Sequence, residues 1–211
     1  MATNLCKIME RYGSDKSVRN HNYTLVYSKL FDPIKQNKLR VFELGLGTNN
    51  TDVPSNMGPD GKPGASVYGW AEYFPNSDIF GADIDKRILF NTKRINTFYC
   101  DQTNPESIKE LWNNPLLANN FDIIVEDGLH CFIANITFFE NSIHKLNKGG
   151  YYIIEDIETS EFPLFNDKIN EYKSLYPHLS FELMQLPHHI NNVSNYGDNS
   201  NNNILVVHNI Q

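Results

Sequence analysis

Two hydrophobic rhythms alternate along the chain. Short runs of β-branched and aromatic residues bounded by Gly, Pro, Asn or Asp read as strands, and longer stretches with apolar residues three and four apart read as helices. Strands are predicted at Leu39–Leu44 (LRVFEL), Ile79–Ile84 (IFGADI), 98–102 (FYCDQ), Ile123–Val125, Tyr151–Ile154, Phe181–Leu186 and Asn203–His208. Helices are predicted at 4–11, from His21 and Tyr23 to about Phe31, at 66–74 with Pro75 as the stop, and at 105–119 with Pro115 as a kink or early end. Two more follow, one closed by a C-cap at Lys148-Gly149-Gly150, and one at 166–175 after a turn from Glu158 to Pro163. Strands alternating with helices indicate an α/β fold with a mostly parallel sheet. The unit from Phe121 to Asp156 gives two parallel strands joined by a right-handed crossover. The last two strands read as an antiparallel hairpin.

A single domain spanning 1–211 is expected, with a helical cap over 1–36 and two polar loops. The first loop, 49–65 (NNTDVPSNMGPDGKPGA), is inserted at the ligand edge of the sheet, where a loop of this length is commonly functional. The second, 187–203, is rich in Asn and reads as flexible linker. It begins beside His188 and His189, read first as surface histidines and alternatively as cleft residues.

A net charge of −7 and a pI near 5.4 argue against a nucleic acid bound through a basic surface. No apolar run reaches the roughly 20 residues of a membrane span, so no membrane partner is expected. The N-terminus lacks the apolar core of a signal peptide, so a cytoplasmic location is expected. The sequons at Asn22, Asn49, Asn135 and Asn192 then read as chance matches. Cys6, Cys100 and Cys131 form no C-x-x-C pair, which indicates a reducing compartment and gives no support to a thiolate zinc site.

The chemistry concentrates at the strand ends. Leu39–Leu44 runs into Gly45-Leu46-Gly47-Thr48 behind Glu43, the acidic-x-Gly-x-Gly form of a nucleotide-binding loop. Asp83 ends the second strand, where an acidic residue commonly binds a ribose hydroxyl pair, with Asp85 close behind as the alternate or merely a turn residue. Asp101 ends the third strand and is placed to meet an adenine. Asp127, Glu155 and Asp156 end two neighbouring strands and would converge, with His130 three residues past the first. Clustered carboxylates repel one another, and a hard divalent cation such as Mg²⁺ is their natural partner. The Tyr12–Lys16 turn reads equally well as an ordinary polar turn or as something more.

Together these motifs resemble the class I S-adenosylmethionine-dependent methyltransferases. ELGLG, GADID, YCDQ, FDIIVEDGLH and LNKGGYYIIEDI stand in that family's order. YGSDK with the following His and Tyr, and GWAEYFPNSDIFGADID, look most like the metal-dependent sugar O-methyltransferases of macrolide biosynthesis, the mycinamicin type. The catechol-type enzymes are a second parallel, with ligands 28 and 29 residues after the first Asp, the spacing from Asp127 to Glu155 and Asp156 here. The resemblance implies a Rossmann-like class I fold, with seven mostly parallel strands, an antiparallel C-terminal hairpin and helices on both faces. It implies that Glu43, Gly45 and Gly47 support the amino-acid end of S-adenosylmethionine, and that Asp83 holds its ribose. Asp101 with Gln102 would meet the adenine, and Tyr12 and Ser14 would close over the cofactor. Asp127, Glu155 and Asp156 would bind Mg²⁺ or Mn²⁺, and His130 would be the general base. The partner implied is a small sugar-like acceptor, with self-association into a homo-oligomer left open. Two departures stand out. Asn49 replaces the third glycine of the first motif, and nothing in the chain corresponds to the separate N-terminal domain of the macrolide enzymes.

Three rival readings remain. A metal-independent methyltransferase is the nearest. A nicotinamide-dependent oxidoreductase is disfavoured because Asn50 stands where G-x-G-x-x-G needs its last glycine. A non-catalytic nucleotide-binding scaffold is disfavoured by the intact set of Asp127, His130, Glu155 and Asp156.

Overall fold

The structure is a computed structural model and describes residues 2–186 and 201–211. His188, His189 and the rest of the Asn-rich loop up to residue 200 lie outside the described residues. Seven strands form one sheet: β1 (Arg40–Leu44), β2 (Asp78–Asp83), β3 (Ile95–Tyr99), β4 (Phe121–Glu126), β5 (Leu146–Ile154), β6 (Leu179–Gln185) and β7 (Asn203–Asn209). Their spatial order is β3-β2-β1-β4-β5-β7-β6. The first five run parallel, and β7 pairs antiparallel with both β5 and β6. This is the topology that the resemblance implies. The chain order reverses between β1 and β4, the crevice where open α/β sheets bind ligands.

The central strands read as continuous apolar runs because both of their faces are buried. Phe42, Leu44, Ile124, Tyr152 and Ile154 pack under α4 (Pro105–Trp112), α5 (Phe132–Ser142) and α6 (Phe162–Leu175). Val41, Ile123, Val125 and Ile153 pack under α1 (Asn4–Tyr12), α2 (Tyr23–Phe31) and α3 (Ala65–Tyr73). The N-terminal helices thus form part of one wall of the core. α1 is capped by the Thr3 side chain, which accepts from the Cys6 amide at 3.1 Å, and it ends at Gly13. Among the described residues, no helix is long and apolar enough to cross a membrane.

Three elements differ from expectation. The predicted cap at Lys148-Gly149-Gly150 is the start of β5, not the end of a helix. α5 stops at Ser142, and the register slips between Phe121 and Ile123 where the extra β5 residues bulge out. β3 covers 95–99 and not 98–102. Its ladder with β2 ends at Asp83 and Tyr99, after which the Asp101 amide donates to Ser107 Oγ at 3.0 Å and turns the chain. The helix at Pro115 takes the second of its two expected outcomes and ends early, with a separate 3-10 turn at Pro115–Leu117. α6 begins at Phe162 and not at 166, because Pro163 sits in its first turn, where a missing N–H costs nothing.

Candidate active site

A cavity of about 310 Å³ opens at the carboxyl ends of β1, β2, β3 and β4. Its floor is the loop after β1. Gly45 has φ +88°, and a Cβ there would lie 1.8 Å from the carbonyl oxygen of Asp127, so only glycine lets the β1 and β4 loops pass so closely. Asp83, Asp101, Gln102, Ser14, Asp127 and His130 all reach the cavity wall. The inserted loop forms its other wall. The Met57 amide donates to the Thr48 carbonyl at 2.8 Å, and Ser55 Oγ donates to the Leu129 carbonyl at 3.0 Å.

Two predicted contacts do not reach the cavity wall. Glu43 is fully buried beneath the glycine loop, where Ser66 Oγ donates to it at 2.7 Å and Trp70 Nε1 at 2.5 Å. Its place is structural support for the loop. Tyr12 lies on the outer face of α1, donating to Glu72 and stacked on Tyr68. Gln102 lines the cavity, but its side chain is engaged at both ends. Nε2 donates to Glu126 at 3.0 Å and Oε1 accepts from the Leu129 amide at 2.7 Å. Asp83 accepts from the Leu46 and Asp85 amides, and burial raises its pKa from the usual carboxylate value.

Asp127, His130 and Asp156 each bring a ligand atom within 4.8 Å of the others. His130 Nε2 is 3.1 Å from Asp127 Oδ1 and 3.5 Å from Asp156 Oδ2. Asp127 and Asp156 offer hard carboxylate oxygens beside an open cavity, which suit Mg²⁺ or Mn²⁺, and the His130 imidazole stands next to them. Asp156 is held from behind by Tyr23, whose hydroxyl donates to Oδ1 at 2.8 Å and accepts from the Asp156 amide at 3.2 Å. His21 Nδ1 lies 3.3 Å from the same oxygen. Glu155 is not in this group. Its carboxylate faces the N-terminal wall, bonded to Lys16 Nζ and the Tyr27 hydroxyl.

Lys16 was not singled out by the sequence. It is 1% exposed, with Nζ 2.5 Å from Asp127 Oδ2 and 3.3 Å from Glu43 Oε1, as well as bonded to Glu155. Burial works to lower its pKa, but Asp127, Glu155 and Glu43 override it and hold the ammonium well above its ordinary value. The only available signal was the lysine ending YGSDK, a charged residue in a turn with no periodicity. Tyr23 reads only as the start of a helix and Tyr27 lies inside that stretch, where a phenol cannot be told from ordinary core.

The electrostatics set the protonation states. Burial would raise Asp127, but Lys16 and His130 outweigh it and hold the carboxyl low. Burial pushes Glu155 well up and Asp156 up, with Lys16 and His130 respectively only partly offsetting it. Burial would lower His130, but Asp156 and Asp127 raise it to about 10.

No protein-family model matches the chain. It is 32% identical over 155 residues to 8-demethyl-8-alpha-L-rhamnosyl tetracenomycin-C 2'-O-methyltransferase of Streptomyces olivaceus, a match covering 74% of this chain and 38% of that protein. It is 29% identical over 161 residues to mycinamicin VI 2''-O-methyltransferase of Micromonospora griseorubida, covering 76% and 38%. The chain thus spans well under half the length of these relatives. Among solved structures, the MycE methyltransferase of the mycinamycin pathway in complex with Mg and SAH superposes with a TM-score of 0.73 at 21% identity, over 100% of this chain and 56% of that one. Human methyltransferase-like protein 13 in complex with SAH gives 0.59 at 14% identity, over 90% and 82%.

Proposed function

We propose that this chain, which has the class I methyltransferase fold and is related in sequence to sugar O-methyltransferases, transfers a methyl group from S-adenosylmethionine to a hydroxyl of a sugar-containing small molecule. The observation that carries this reading is the approach of Asp127, His130 and Asp156 within 4.8 Å at the edge of the cavity behind the glycine loop. The fold alone would support many chemistries. A paired carboxylate and imidazole beside a donor-sized cavity narrows them to proton removal from an acceptor during group transfer.

In this reading Gly45 and Gly47 admit the donor closely, Asp83 takes its ribose hydroxyls, and Asp101 meets its adenine. Cys100 and Leu129 supply apolar walls at the same end. The transfer forms a carbon–oxygen bond as the carbon–sulfur bond of the sulfonium breaks, and the acceptor's proton goes to His130 Nε2. Alignment is the main demand, because the donor is already activated. Asp127 and Asp156 would hold a divalent cation, which when bound lowers the pKa of a coordinated hydroxyl and masks the carboxylates. Masking matters to this chain's own residues. As long as both carboxylates face it unneutralised, His130 holds its proton up to about pH 10 and is a donor rather than a base.

Lys16 favours a second reading, a methyltransferase that needs no metal. Its ammonium already partners Asp127, Glu155 and Glu43. One assay separates the two. Release of S-adenosylhomocysteine is measured over a panel of glycosides and phosphosugars, with Mg²⁺ or with chelator, and the methylated product is identified by mass. Turnover restored by Mg²⁺ supports the first reading, and full turnover in chelator the second. No turnover, together with binding of NAD in preference to S-adenosylhomocysteine, would overturn both.

A further inference from the structure

The cavity has a cation that nothing above uses. Lys62 lies near the end of the inserted loop, and its side chain reaches the cavity wall. It is exposed, and its ammonium makes no hydrogen bond or ion pair among the described residues. The other two cationic residues lining the cavity, Lys16 and His130, are both engaged by carboxylates.

Its position is built rather than incidental. Pro63 follows it and restricts its backbone. The Lys62 carbonyl accepts from the Ala65 amide at 3.1 Å, and the Gly64 amide donates to Leu46 at 2.7 Å, which ties this end of the loop to the glycine loop. The side chain then crosses the open face of Gly13. A Cβ on Gly13 would lie 2.8 Å from Lys62 Cδ and 3.2 Å from Nζ. Gly13 has φ +87° and immediately precedes Ser14, which lines the cavity. The ammonium is therefore held beside the Gly13–Ser14 turn.

We propose that Lys62 binds the carboxylate of the amino-acid end of the methyl donor. The inference rests on the donor reading above and deepens it. An adenosine lodged between Asp83 and Asp101 directs its 5′ substituent toward the glycine loop and the turn at Ser14. An amino acid attached there carries one carboxylate, and burying it beside Asp15, Asp83 and Asp127 requires a positive partner. Lys62 is the cation free to supply it. Asp15, at the same end, offers the opposite charge to the donor's ammonium.

The test is calorimetric binding of two ligands to the wild-type chain, Lys62→Met and Lys62→Arg. S-adenosylhomocysteine carries the amino-acid end, and 5′-methylthioadenosine keeps the adenosine thioether without it. Lys62→Met should weaken S-adenosylhomocysteine about tenfold or more, the scale of a lost charge-assisted bond, and leave methylthioadenosine within about twofold. Lys62→Arg should keep most of the affinity, and the effect should shrink at high salt. Equal weakening of both ligands would assign Lys62 to loop packing and overturn the inference, as would no change in either. A wild-type chain that binds neither ligand would bring down the donor reading itself, whereas normal binding with an unaffected Lys62→Met counts against Lys62 alone.

Discussion

His130 and Asp156 face each other at 3.5 Å, and both hold a left-handed backbone, with φ 55° and 53°. Neither is glycine. Among the described residues the other non-glycine positions with positive φ are Asn22 and Ser55. Asn22 precedes α2, the helix that carries Tyr23 and Tyr27, and Ser55 bonds the loop before His130. Such conformations cost roughly 1–3 kcal/mol each and persist where the surroundings over-determine them. Here the strain turns two side chains from different strand ends toward one point. In an extended strand Glu155 and Asp156 would face opposite sides of the sheet. The left-handed turn at Asp156 aims its carboxylate at His130, while Glu155 stays on the side of Lys16.

The role of His130 gives the first expected outcome. Replacement by Ala should lower kcat about 100-fold or more if it takes the acceptor proton. S-adenosylhomocysteine affinity should change little, because the donor contacts assigned above do not include the imidazole. Turnover near wild type with a normal donor affinity would assign His130 to packing.

Asp156 separates conformation from ligation. Asp156→Asn should fold normally, since Asn tolerates the left-handed region and can still accept from Tyr23. Its Mn²⁺ affinity, read by calorimetry, should fall at least tenfold, because a carboxylate is lost from the proposed cation seat. Asp156→Ala should lose the same affinity and also about 1–2 kcal/mol of stability in urea, from the φ penalty without a polar side chain. Equal metal affinity in wild type and Asp156→Asn would remove Asp156 from the ligand set.

The three cysteines should react in a defined order. Cys6 and Cys100 are buried, and Cys131 is half-exposed. Burial pushes the Cys100 thiol up to about 12. At pH 8 a maleimide should label Cys131 first and leave Cys100 unmodified in the folded chain. Because the folded pKa lies above that of a free thiol, near 9, the unfolded chain gives up this proton first. Stability is therefore expected to fall as pH rises from about 9 toward 12, and Cys100→Ser should flatten that slope. Fast labelling of Cys100 at pH 8, read by peptide mass mapping, would contradict its burial.

What was legible in the sequence follows from geometry that sequence encodes. Glu126 pairs with Ile154, so the residues after them, Asp127 and Glu155, had to leave the sheet side by side. Strand ends marked by acidic residues, and a glycine loop after β1, located the cavity. Side-chain direction was not encoded in the same way. The count from Asp127 to Glu155 and Asp156 places the carboxylates but cannot say that a backbone with φ 53° at Asp156 aims one at His130 and leaves the other beside Lys16. Lys148-Gly149-Gly150 misled because glycine after lysine ends helices and also forms bulges. Lys16 stayed invisible because its burial depends on acids more than a hundred residues distant.

Lys16 offers the sharpest test of how the acidic cluster is held. Its ammonium contacts Asp127, Glu155 and Glu43, and none of these is more than a fifth exposed. Lys16→Met keeps the aliphatic stem and deletes the charge. Removing one partner of a buried ionic cluster commonly costs about 3–5 kcal/mol, because the remaining charges are left uncompensated. Urea unfolding at pH 7.5 should show a loss of that size. Without Lys16 the carboxylates can regain neutrality by taking up protons, so the folded pKa of Asp127 rises and those of Glu43 and Glu155, already raised by burial, rise further. A carboxylic acid with a raised folded pKa favours the folded state below its unfolded value, and that contribution is lost as pH climbs through the folded one. The deficit of Lys16→Met should therefore narrow at pH 5 and widen at pH 8, whereas the cost of a lost packing contact would not change with pH. A deficit that is small and flat with pH would mean that solvent or a bound cation, not Lys16, balances these acids.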